Sequence, residues 1–387
     1  MTNVYTQTNE TLNQIINFKR GGDGQLVEVQ RVPTGGTGTN GFTPLTGEKS
    51  SPDSLISSNS IVVSKDRKSL FAVNAGDNTV SAFAIGMDGM LTLTDTKGTG
   101  NAVTGMSGTA NSLAFNDADG TLYVSHSFGP DHIRIFTAMG GKLTLRPQSR
   151  SVNLPMTTMD RVPTQIVLTP DNKYLIAAVL FDARPSEAGL TLAKEKTLVT
   201  FPVMMGGALG EPIFNDAGGI TPFANVFLNG NPNTFVTVLA AESAAVLSTI
   251  AANGNVVSGK PSKIDTVVAG MPTEPSEICW ISVSEDNRYA FGANFGYGTV
   301  STFRIDGSGL MVRQSTAAQE SGDGTFKGLA GVVSSGAGDN VVSGPFLYQL
   351  YANAKKLVGY RIGDDGRLTK VSEAPIPYNS TQGLAVA

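Results

Sequence analysis

Three charged residues of this sequence are of the types that carry acid–base chemistry on a small molecule. Glu277 and Glu242 could serve as general acid and general base if they meet in a site dry enough to separate their pKa values. The alternative is that they bind only water or a structural cation. Lys327 could stabilise an oxyanion or enolate, or it could be a solvated loop lysine.

His126 is the fourth candidate catalytic residue, and it is one of only two histidines. It closes an apolar segment at a place where other repeats carry Asn74 and Asn294. Near neutral pH an imidazole can donate a hydrogen bond or shuttle a proton. The alternative is a structural histidine held by hydrogen bonds.

Polar residues also stand immediately before short apolar segments along the whole chain. Taken singly, each amide would cap a turn or meet water. Taken together, they predict a polar funnel that binds a substrate. With Glu277 and Lys327, the set comprises Asn59, Asn111, Gln165, Asn225 and Gln382.

Aromatic residues follow the ends of several apolar segments. If they face the same funnel, they form an apolar wall suited to a hydrophobic ring rather than a sugar phosphate; otherwise they only pack loops. They are Phe128, Phe181, Phe295 and Tyr297, and we add Asn294 to the substrate-binding set.

A charged and glycine-rich stretch from Pro185 to Gly219 interrupts the repeat and predicts a lid or specificity loop. It could also be only a surface excursion. Arg161, Arg184 and the pair Lys194 and Lys196 lie around it.

Composition excludes several classes of function. The 387 residues carry a net charge of −4 without a basic stripe, so no nucleic acid partner is expected. No apolar run is long enough for a transmembrane helix, and no glycine-rich phosphate loop opens a helix. One cysteine and two histidines are too few for a transition-metal centre. We therefore expect no cofactor, no metal and no membrane partner.

The elements that position these residues form a repeat. Three segments share an apolar strand, an Asp-containing turn, a second apolar strand, a Gly-rich turn and a third strand. A fourth strand usually follows a further Gly turn. The segments are Asn59 to Phe83, Asn111 to Phe136 and Glu277 to Phe303. Four strands with a period near fifty residues indicate a propeller blade.

Counting the residue that closes each second strand gives seven blades. The counted residues are Asn9, Asn74, His126, Val179, Glu242, Asn294 and Asn353. The first blade lacks an inner strand, and residues 382–386 resemble one without a partner. The prediction is an all-β, seven-bladed β-propeller whose C-terminal strand closes the N-terminal blade. It forms a single domain over 1–387, with blade 1 at about 1–49 plus 380–387.

The stretches from Pro170 to Ala178 and from Pro275 to Gly296, with the closing strand, resemble the lactonase-like seven-bladed propellers. That family includes bacterial 6-phosphogluconolactonase and fungal 3-carboxymuconate-cyclising enzymes. The resemblance implies catalysis without a redox cofactor. It also implies a match of Glu277 to the glutamate of the family's Ala-Glu-Ile pattern, and of Glu242 to that of its Asn-Glu pattern.

The chain departs from that family at two places. Val162-Pro163-Thr164, followed by Gln165, stands where His-x-His is common, and Phe295 replaces an arginine. The missing groups would orient water or bind a substrate carboxylate.

These observations predict a cofactor-independent enzyme that opens, forms or closes a small cyclic compound such as a lactone. One alternative is a non-hydrolytic cyclase of natural-product biosynthesis, including a pericyclic step. Another is a non-catalytic binding or cell-surface propeller. The expected partner is an apolar or lactone-like small molecule, and we expect a monomer. Its location would be the secretory pathway if a leader has been removed, and the cytoplasm otherwise.

Overall fold

The computed structural model describes residues 2–101, 109–155, 160–182, 191–264, 275–307 and 309–387, with 312–317 described by backbone only. Within these ranges the strands form seven antiparallel sheets. Each sheet is one blade, and its successive strands lie at increasing distances from the central axis. The predicted seven-bladed β-propeller is confirmed.

The first blades contain the following strands. Blade 1 has β1 (Thr2–Gln7), β2 (Gln14–Arg20), β3 (Leu26–Pro33) and the C-terminal β29 (Gln382–Val386). Blade 2 has β4 (Ile61–Val63), β5 (Ser69–Asn74), β6 (Thr79–Ile85) and β7 (Leu91–Gly98). Blade 3 has β8 (Ala110–Asn116), β9 (Thr121–His126), β10 (Ile133–Met139) and β11 (Lys142–Arg150). Blade 4 has β12 (Arg161–Leu168), β13 (Tyr174–Asp182), β14 (Leu198–Pro202) and β15 (Ile213–Asn215).

The remaining blades follow the same order. Blade 5 has β16 (Pro222–Phe227), β17 (Thr234–Leu239), β18 (Ala244–Ile250), β19 (Val256–Ser258) and the short β20 (Ser262–Lys263). Blade 6 has β21 (Ile278–Val283), β22 (Tyr289–Asn294), β23 (Thr299–Asp306) and β24 (Gly309–Gln319). Blade 7 has β25 (Ala337–Ser343), β26 (Phe346–Tyr351), β27 (Lys356–Ile362) and β28 (Leu368–Pro375). In the part of the chain that the structure describes, three single-turn 3-10 helices lie at Met205–Gly207, Ala240–Glu242 and Ala352–Ala354.

The predicted Asp turns join inner and second strands by one local arrangement. In blade 2, Ser64 Oγ and the Lys68 N–H both donate to an oxygen of Asp66, at 2.7 and 3.0 Å. Blades 4 and 6 repeat the arrangement with Asp171 and Asp286. Because an Asp side chain bonds its own backbone readily, these turns form from local sequence.

The C-terminal strand β29 closes the ring as predicted. It pairs with β1, with Val386 opposite Val4 and Leu384 opposite Thr6. Thr6 Oγ1 donates to the Gly383 carbonyl at 2.7 Å. The first blade therefore has four strands and no open inner edge.

The residues used to count blades occupy less regular places than predicted. Asn74, His126 and Asn294 end second strands, as expected. Val179 lies inside β13, whereas Glu242 and Asn353 lie in 3-10 helices after β17 and β26. The count was right because each blade contributes one such region, although the register varies.

One other expectation, the lid, needs correction. The stretch 191–219, predicted as part of a lid, supplies β14 and β15 and so belongs to blade 4 itself. Arg184 and the start of that stretch lie outside the described residues. Arg161 is buried in β12, where its guanidinium bonds Asp182 at 2.8 Å and two carbonyls. It fastens blade 4 and does not face solvent.

Residues 51–59, here called the plug, cross the axis between the inner strands. Ser57 Oγ donates to the Asn111 carbonyl at 2.8 Å, and the Ser57 carbonyl accepts the Trp280 indole N–H at 3.0 Å. The Ser58 N–H donates to the Thr164 carbonyl at 2.9 Å. Since these partners belong to blades 3, 6 and 4, the plug occupies the centre of the ring at this end.

Candidate functional site

A cavity of about 520 Å³ lies beside the plug, against blades 4 to 6. The loop that leads into the plug and the loop before blade 7 complete its walls. Its main apolar lining residues are Ile56, Leu180, Phe181, Leu192, Phe223, Phe295, Phe326 and Leu329. The ionisable groups in its lining are Glu48, Asp53, Glu277, Cys279 and Lys327. We call this cavity the off-axis pocket.

Glu277 is the predicted catalytic residue that lies most clearly in the off-axis pocket. Its Oε2 accepts the Leu329 N–H at 2.8 Å. Burial raises the pKa of its carboxyl from 4.5 to about 7, and this one backbone hydrogen bond only partly offsets the effect. Near neutral pH the group therefore exists both as acid and as base.

Two glycines leave room for this carboxyl. A Cβ added to Gly296 would lie 2.2 Å from Glu277 Oε2, and one added to Gly328 would lie 2.5 Å from it. Larger residues at either position would displace the carboxyl. The backbone of Glu277 has φ 54°, a left-handed conformation that turns the chain into β21.

Cys279 follows two residues later and also lines the pocket. Burial raises the pKa of its thiol well above the ordinary value, and the nearby carboxyls of Asp53 and Glu277 act in the same direction. The thiol therefore stays protonated near neutral pH, and its nucleophilicity is low.

Lys327 lies at the rim of the pocket and is exposed. It was predicted to start the inner strand of blade 7, but that strand, β25, begins ten residues later at Ala337. Lys327 instead forms an isolated bridge with Val333 in the preceding loop. Its role in catalysis stays a prediction.

Two of the four predicted aromatics line the pocket, namely Phe181 and Phe295. The Phe295 ring lies 4.8 Å from that of Phe326 and 5.9 Å from that of Trp280. Phe128 is buried behind the wall and packs with Leu45 and Val162, with Phe181 against that group. Tyr297 is buried in the core that includes blade 6.

Glu242 lies near the pocket without lining it. Its Oε1 accepts the Ile220 N–H at 2.5 Å, so the carboxylate fastens the entry to blade 5. Its neighbours Ala240 and Ala241 do line the pocket. The structure therefore does not bring the two predicted glutamates together as a lining pair, and a catalytic role for Glu242 stays a prediction.

His126 is fully buried in blade 3. Its Nε2 is 2.8 Å from Thr99 Oγ1, and its Nδ1 is 3.1 Å from the His132 carbonyl. Burial lowers its pKa to about 3, so the ring is neutral near pH 7. His126 does not line the off-axis pocket, and proton transfer by it stays a prediction.

The predicted amides bond the plug and neighbouring strands. Asn59 and Asn111 donate to the carbonyls of Ile166 and Pro163 at 3.2 and 2.8 Å. Gln165 Oε1 accepts the Asn225 N–H at 2.6 Å, and Gln382 donates to the Pro52 carbonyl at 3.1 Å.

Asn294 is equally committed to structure. Its amide donates to Thr299 Oγ1 and Ser301 Oγ at 2.9 and 2.8 Å. The polar groups predicted to line an open funnel thus form hydrogen bonds within the blades and to the plug. Their role in substrate binding stays a prediction.

Sequence reasoning missed Asp53 and Asp339, two buried carboxyls beside the axis. Asp339 Oδ2 accepts the Gly383 N–H at 2.9 Å, and burial raises its pKa to about 7. Burial also raises the pKa of Asp53 well above its usual range, and the charge of Asp339 adds to this. Asp339 could have been found as an aspartate at an inner strand. The inner strand of blade 7 was instead predicted to start at Lys327, ten residues before β25 begins.

A second cavity of about 520 Å³ lies between the loop that follows blade 1, the turn between β5 and β6, and the residues that follow β7. Threonine, glycine and asparagine dominate its lining, with Asp77 as its carboxylate. Asp77 is already bonded by the Thr37 and Thr79 backbone N–H groups. Of the predicted site residues, none lines this cavity.

Across the described ranges, no group of three His, Cys, Asp or Glu side chains is placed to hold a metal ion. None of the helices in the described part of the chain is long and apolar enough to span a membrane.

The fold and the pocket define a class: a seven-bladed propeller with a plugged axis and an acidic, apolar pocket beside it. Residues 213–329 match the family described as lactonase, 7-bladed beta-propeller. Over these residues the chain is similar to the lactonase-like seven-bladed propellers that its sequence resembles. The match supports, in general terms, an enzyme that acts on lactones.

Solved structures agree at the level of the fold. A putative 6-phosphogluconolactonase from Bacteroides uniformis shares 15% identity with a TM-score of 0.67, over 100% of this chain and 99% of that one. The periplasmic gluconolactonase of Pseudomonas aeruginosa shares 14% identity with a TM-score of 0.67, over the same fractions of the two chains. A putative 6-phosphogluconolactonase from Bacteroides fragilis shares 16% identity with a TM-score of 0.61, over 100% and 98%. No significant match was found among curated protein sequences.

Proposed function

We propose that the chain is a cofactor-independent enzyme that opens or forms the ring of an apolar lactone in the off-axis pocket. The observation that carries this proposal is Glu277, a carboxyl with a pKa of about 7 at an apolar wall. A general acid or base works best when its pKa lies near the working pH.

The reaction needs only water and one carboxyl. As carboxylate, Glu277 takes a proton from a water molecule whose oxygen attacks the lactone carbonyl carbon. The ring C–O bond then breaks, and the departing alkoxide takes the proton back from Glu277. The product is a hydroxy acid, and the reverse sequence closes the ring with release of water. In this proposal Lys327, at the rim, stabilises negative charge on the carbonyl oxygen.

The charge of the pocket selects the substrate class. Among its described lining residues one cation, Lys327, stands against the carboxyls of Glu48, Asp53 and Glu277. A phosphate dianion would find few donors and several repelling groups there. The rings of Phe181, Phe223, Phe295 and Phe326 instead favour an uncharged alicyclic or aromatic lactone.

A non-hydrolytic cyclase is the second candidate function. It is favoured by one observation: Glu242 does not line the pocket, so Glu277 has no second glutamate there as acid–base partner. Such an enzyme would hold a reactive chain between the aromatic walls and exclude water.

The test is a panel of uncharged γ- and δ-lactones, with 6-phosphogluconolactone as the charged comparison, assayed by proton release and product analysis. Glu277→Gln should lower the hydrolysis rate by roughly 10²–10⁴. Glu242→Gln is the matched control and should retain most of the rate. Full activity of Glu277→Gln would exclude its acid–base role. Ring closure without hydrolysis would favour the cyclase.

Binding can be measured apart from turnover by isothermal titration calorimetry with each lactone. A lactone that occupies the pocket should bind the unmodified chain, and Phe295→Ala should weaken this binding because the Phe295 ring lines the pocket. Binding without turnover of any compound would instead indicate a binding protein. Turnover that Phe295→Ala leaves unchanged would place the reaction elsewhere.

A further inference from the structure

The plug and the C-terminal strand meet at a cluster of buried polar groups. The plug contributes Asp53, blade 7 contributes Asp339, and β29 contributes Gln382 and Gly383. Gln382 donates to the Pro52 carbonyl at 3.1 Å and its amide also reaches the Asp53 carboxyl. Gly383 donates its N–H to Asp339. One cluster thus joins three elements that are far apart in sequence.

The charge of Asp339 raises the pKa of Asp53, and no cation among the described residues forms an ion pair with either carboxyl. Asp53 is 5% exposed and Asp339 is 6% exposed. Asp53 Oδ1 has no hydrogen-bond partner among the described residues. The other ionisable groups that share a cavity with Asp53 are Glu48, Glu277, Cys279 and the exposed Lys327, which is the one cation among them. In the described ranges, no lysine, arginine or histidine contributes to the pKa shift of either aspartate.

Two carboxylates in a dry site cannot both be charged without a large cost. A proton held on one of them removes the repulsion and allows the other to accept the surrounding N–H groups. We propose that this proton is a latch: it keeps the plug seated in the axis, and its loss releases the plug and opens the channel beside the off-axis pocket.

The direction of the pH effect follows from the raised pKa values. In the open state both aspartates are solvated and lose their protons near the ordinary value of 3.8. In the closed state Asp339 keeps its proton up to about pH 7. Raising the pH through that interval therefore favours the open state, and the effect levels off above the pKa of the closed pair.

Trp280 reports on the plug directly. It is the only tryptophan, it is 2% exposed, and its indole N–H donates to the plug at the Ser57 carbonyl. Release of the plug should expose the ring to the neutral quencher acrylamide. We expect quenching to increase by about twofold or more between about pH 5.5 and pH 9, as a locally opened segment exposes its buried groups.

The variants locate the proton. Asp339→Asn should weaken this pH dependence, because an amide cannot lose a proton and repel Asp53. Asp53→Asn should weaken it from the plug side. The double variant should remove it, because burial alone still raises the pKa of either aspartate left by itself. Glu277→Gln is the control, because Glu277 lies three residues before Trp280 in the sequence and has a similar pKa; it should keep the response. Each variant is first checked for folding by circular dichroism at about pH 6.

The outcomes are distinct. Quenching of the unmodified chain that stays constant over the whole pH range overturns the latch, whether or not the variants fold. A response lost in Glu277→Gln but kept in Asp339→Asn also overturns it and assigns the titration to the pocket. A response weakened in each aspartate variant, lost in the double variant and kept in Glu277→Gln supports it.

Discussion

In blade 3 Thr109 precedes the inner strand in a left-handed conformation, with φ 37°, and in blade 6 Glu277 does the same with φ 54°. The carbonyl of each accepts an N–H from just after the second strand, from Ser127 and Phe295 respectively. In blade 3 the second strand ends at His126, which is buried and lies within hydrogen-bond distance of Thr99. In blade 6 Gly296 and Gly328 leave room for the Glu277 carboxyl, which lies at a cavity. The same backbone therefore gives a structural joint in one blade and a candidate reactive group in another.

The largest effect should come from giving blade 6 the residue of blade 3. Glu277→Thr removes the carboxyl but keeps a side chain that the equivalent positions Thr109 and Thr221 accept. We expect a rate loss of roughly 10²–10⁴, measured as kcat/KM on the best lactone of the panel. The melting temperature should not fall, because the change removes a buried charge. A large fall in melting temperature would mean that Glu277 is structural.

The next effect tests the space around the carboxyl. Gly296→Ala places a Cβ 2.2 Å from Glu277 Oε2 and should displace it. We expect a rate loss of roughly 10- to 100-fold, as for other misplacements of a reacting group. Gly307→Ala in the same blade is the control, because a Cβ there meets nothing within 4 Å. Equal losses in both variants would refute the steric argument.

The pH dependence of the rate should report the ionisation of Glu277 in blade 6. Since Glu277 must be ionised to act as base, kcat/KM should rise about tenfold per pH unit below about pH 7 and level off above it. A rate independent of pH would favour the non-hydrolytic cyclase.

Stability should follow the same contrast. The raised pKa of Glu277 costs stability as the pH rises from 4.5 to about 7, so Glu277→Gln should gain relative to the unmodified chain over that interval. The pKa of His126 is lowered, so its contribution is present above pH 6.5 and is lost as the pH falls toward about 3. Urea denaturation of the unmodified chain, of Glu277→Gln and of His126→Asn at a series of pH values measures these differences.

The smallest effect on catalysis should come from blade 3. His126→Asn breaks the bond to Thr99 and leaves buried groups unpaired, at a cost of about 1–3 kcal/mol in unfolding free energy. Thr99→Val removes the partner, and the double variant should cost less than the sum because the two residues share one bond. The rate per folded molecule should stay unchanged. A specific rate loss in His126→Asn would restore the proton-shuttle hypothesis.

The fold could be predicted because its signals are local. Each Asp turn, such as that of Asp66 or Asp286, is formed by residues within a few positions of one another. Ring closure could be predicted as well, because the apolar residues 382–386 needed a partner and β1 lacked one. Because the pattern repeats in seven blades, an error of register in one blade did not change the predicted fold.

The site could be predicted only in part, because it depends on loops without periodicity. Glu277, Phe181 and Phe295 flank strands, so their blade positions indicated a common end of the propeller. Asp53 and Phe326 lie in Gly- and Ser-rich loops whose paths no local pattern determines. For the polar residues before inner strands, such as Asn111, the sequence does not distinguish bonding to water from bonding to a plug.

The bond between Ser57 and Trp280 also imposes an order on assembly, since it joins residues 223 positions apart. On the ribosome, blades 2 to 4 can form while residues 51–59 still lack their partner in blade 6. Val4 stays unpaired for longer still, because its partner Val386 lies 382 positions later in the sequence. Until then β1 is the unpaired inner edge of the first blade, and it can pair with a strand of another nascent chain. Slowing synthesis of the last blade should therefore increase aggregation of this protein.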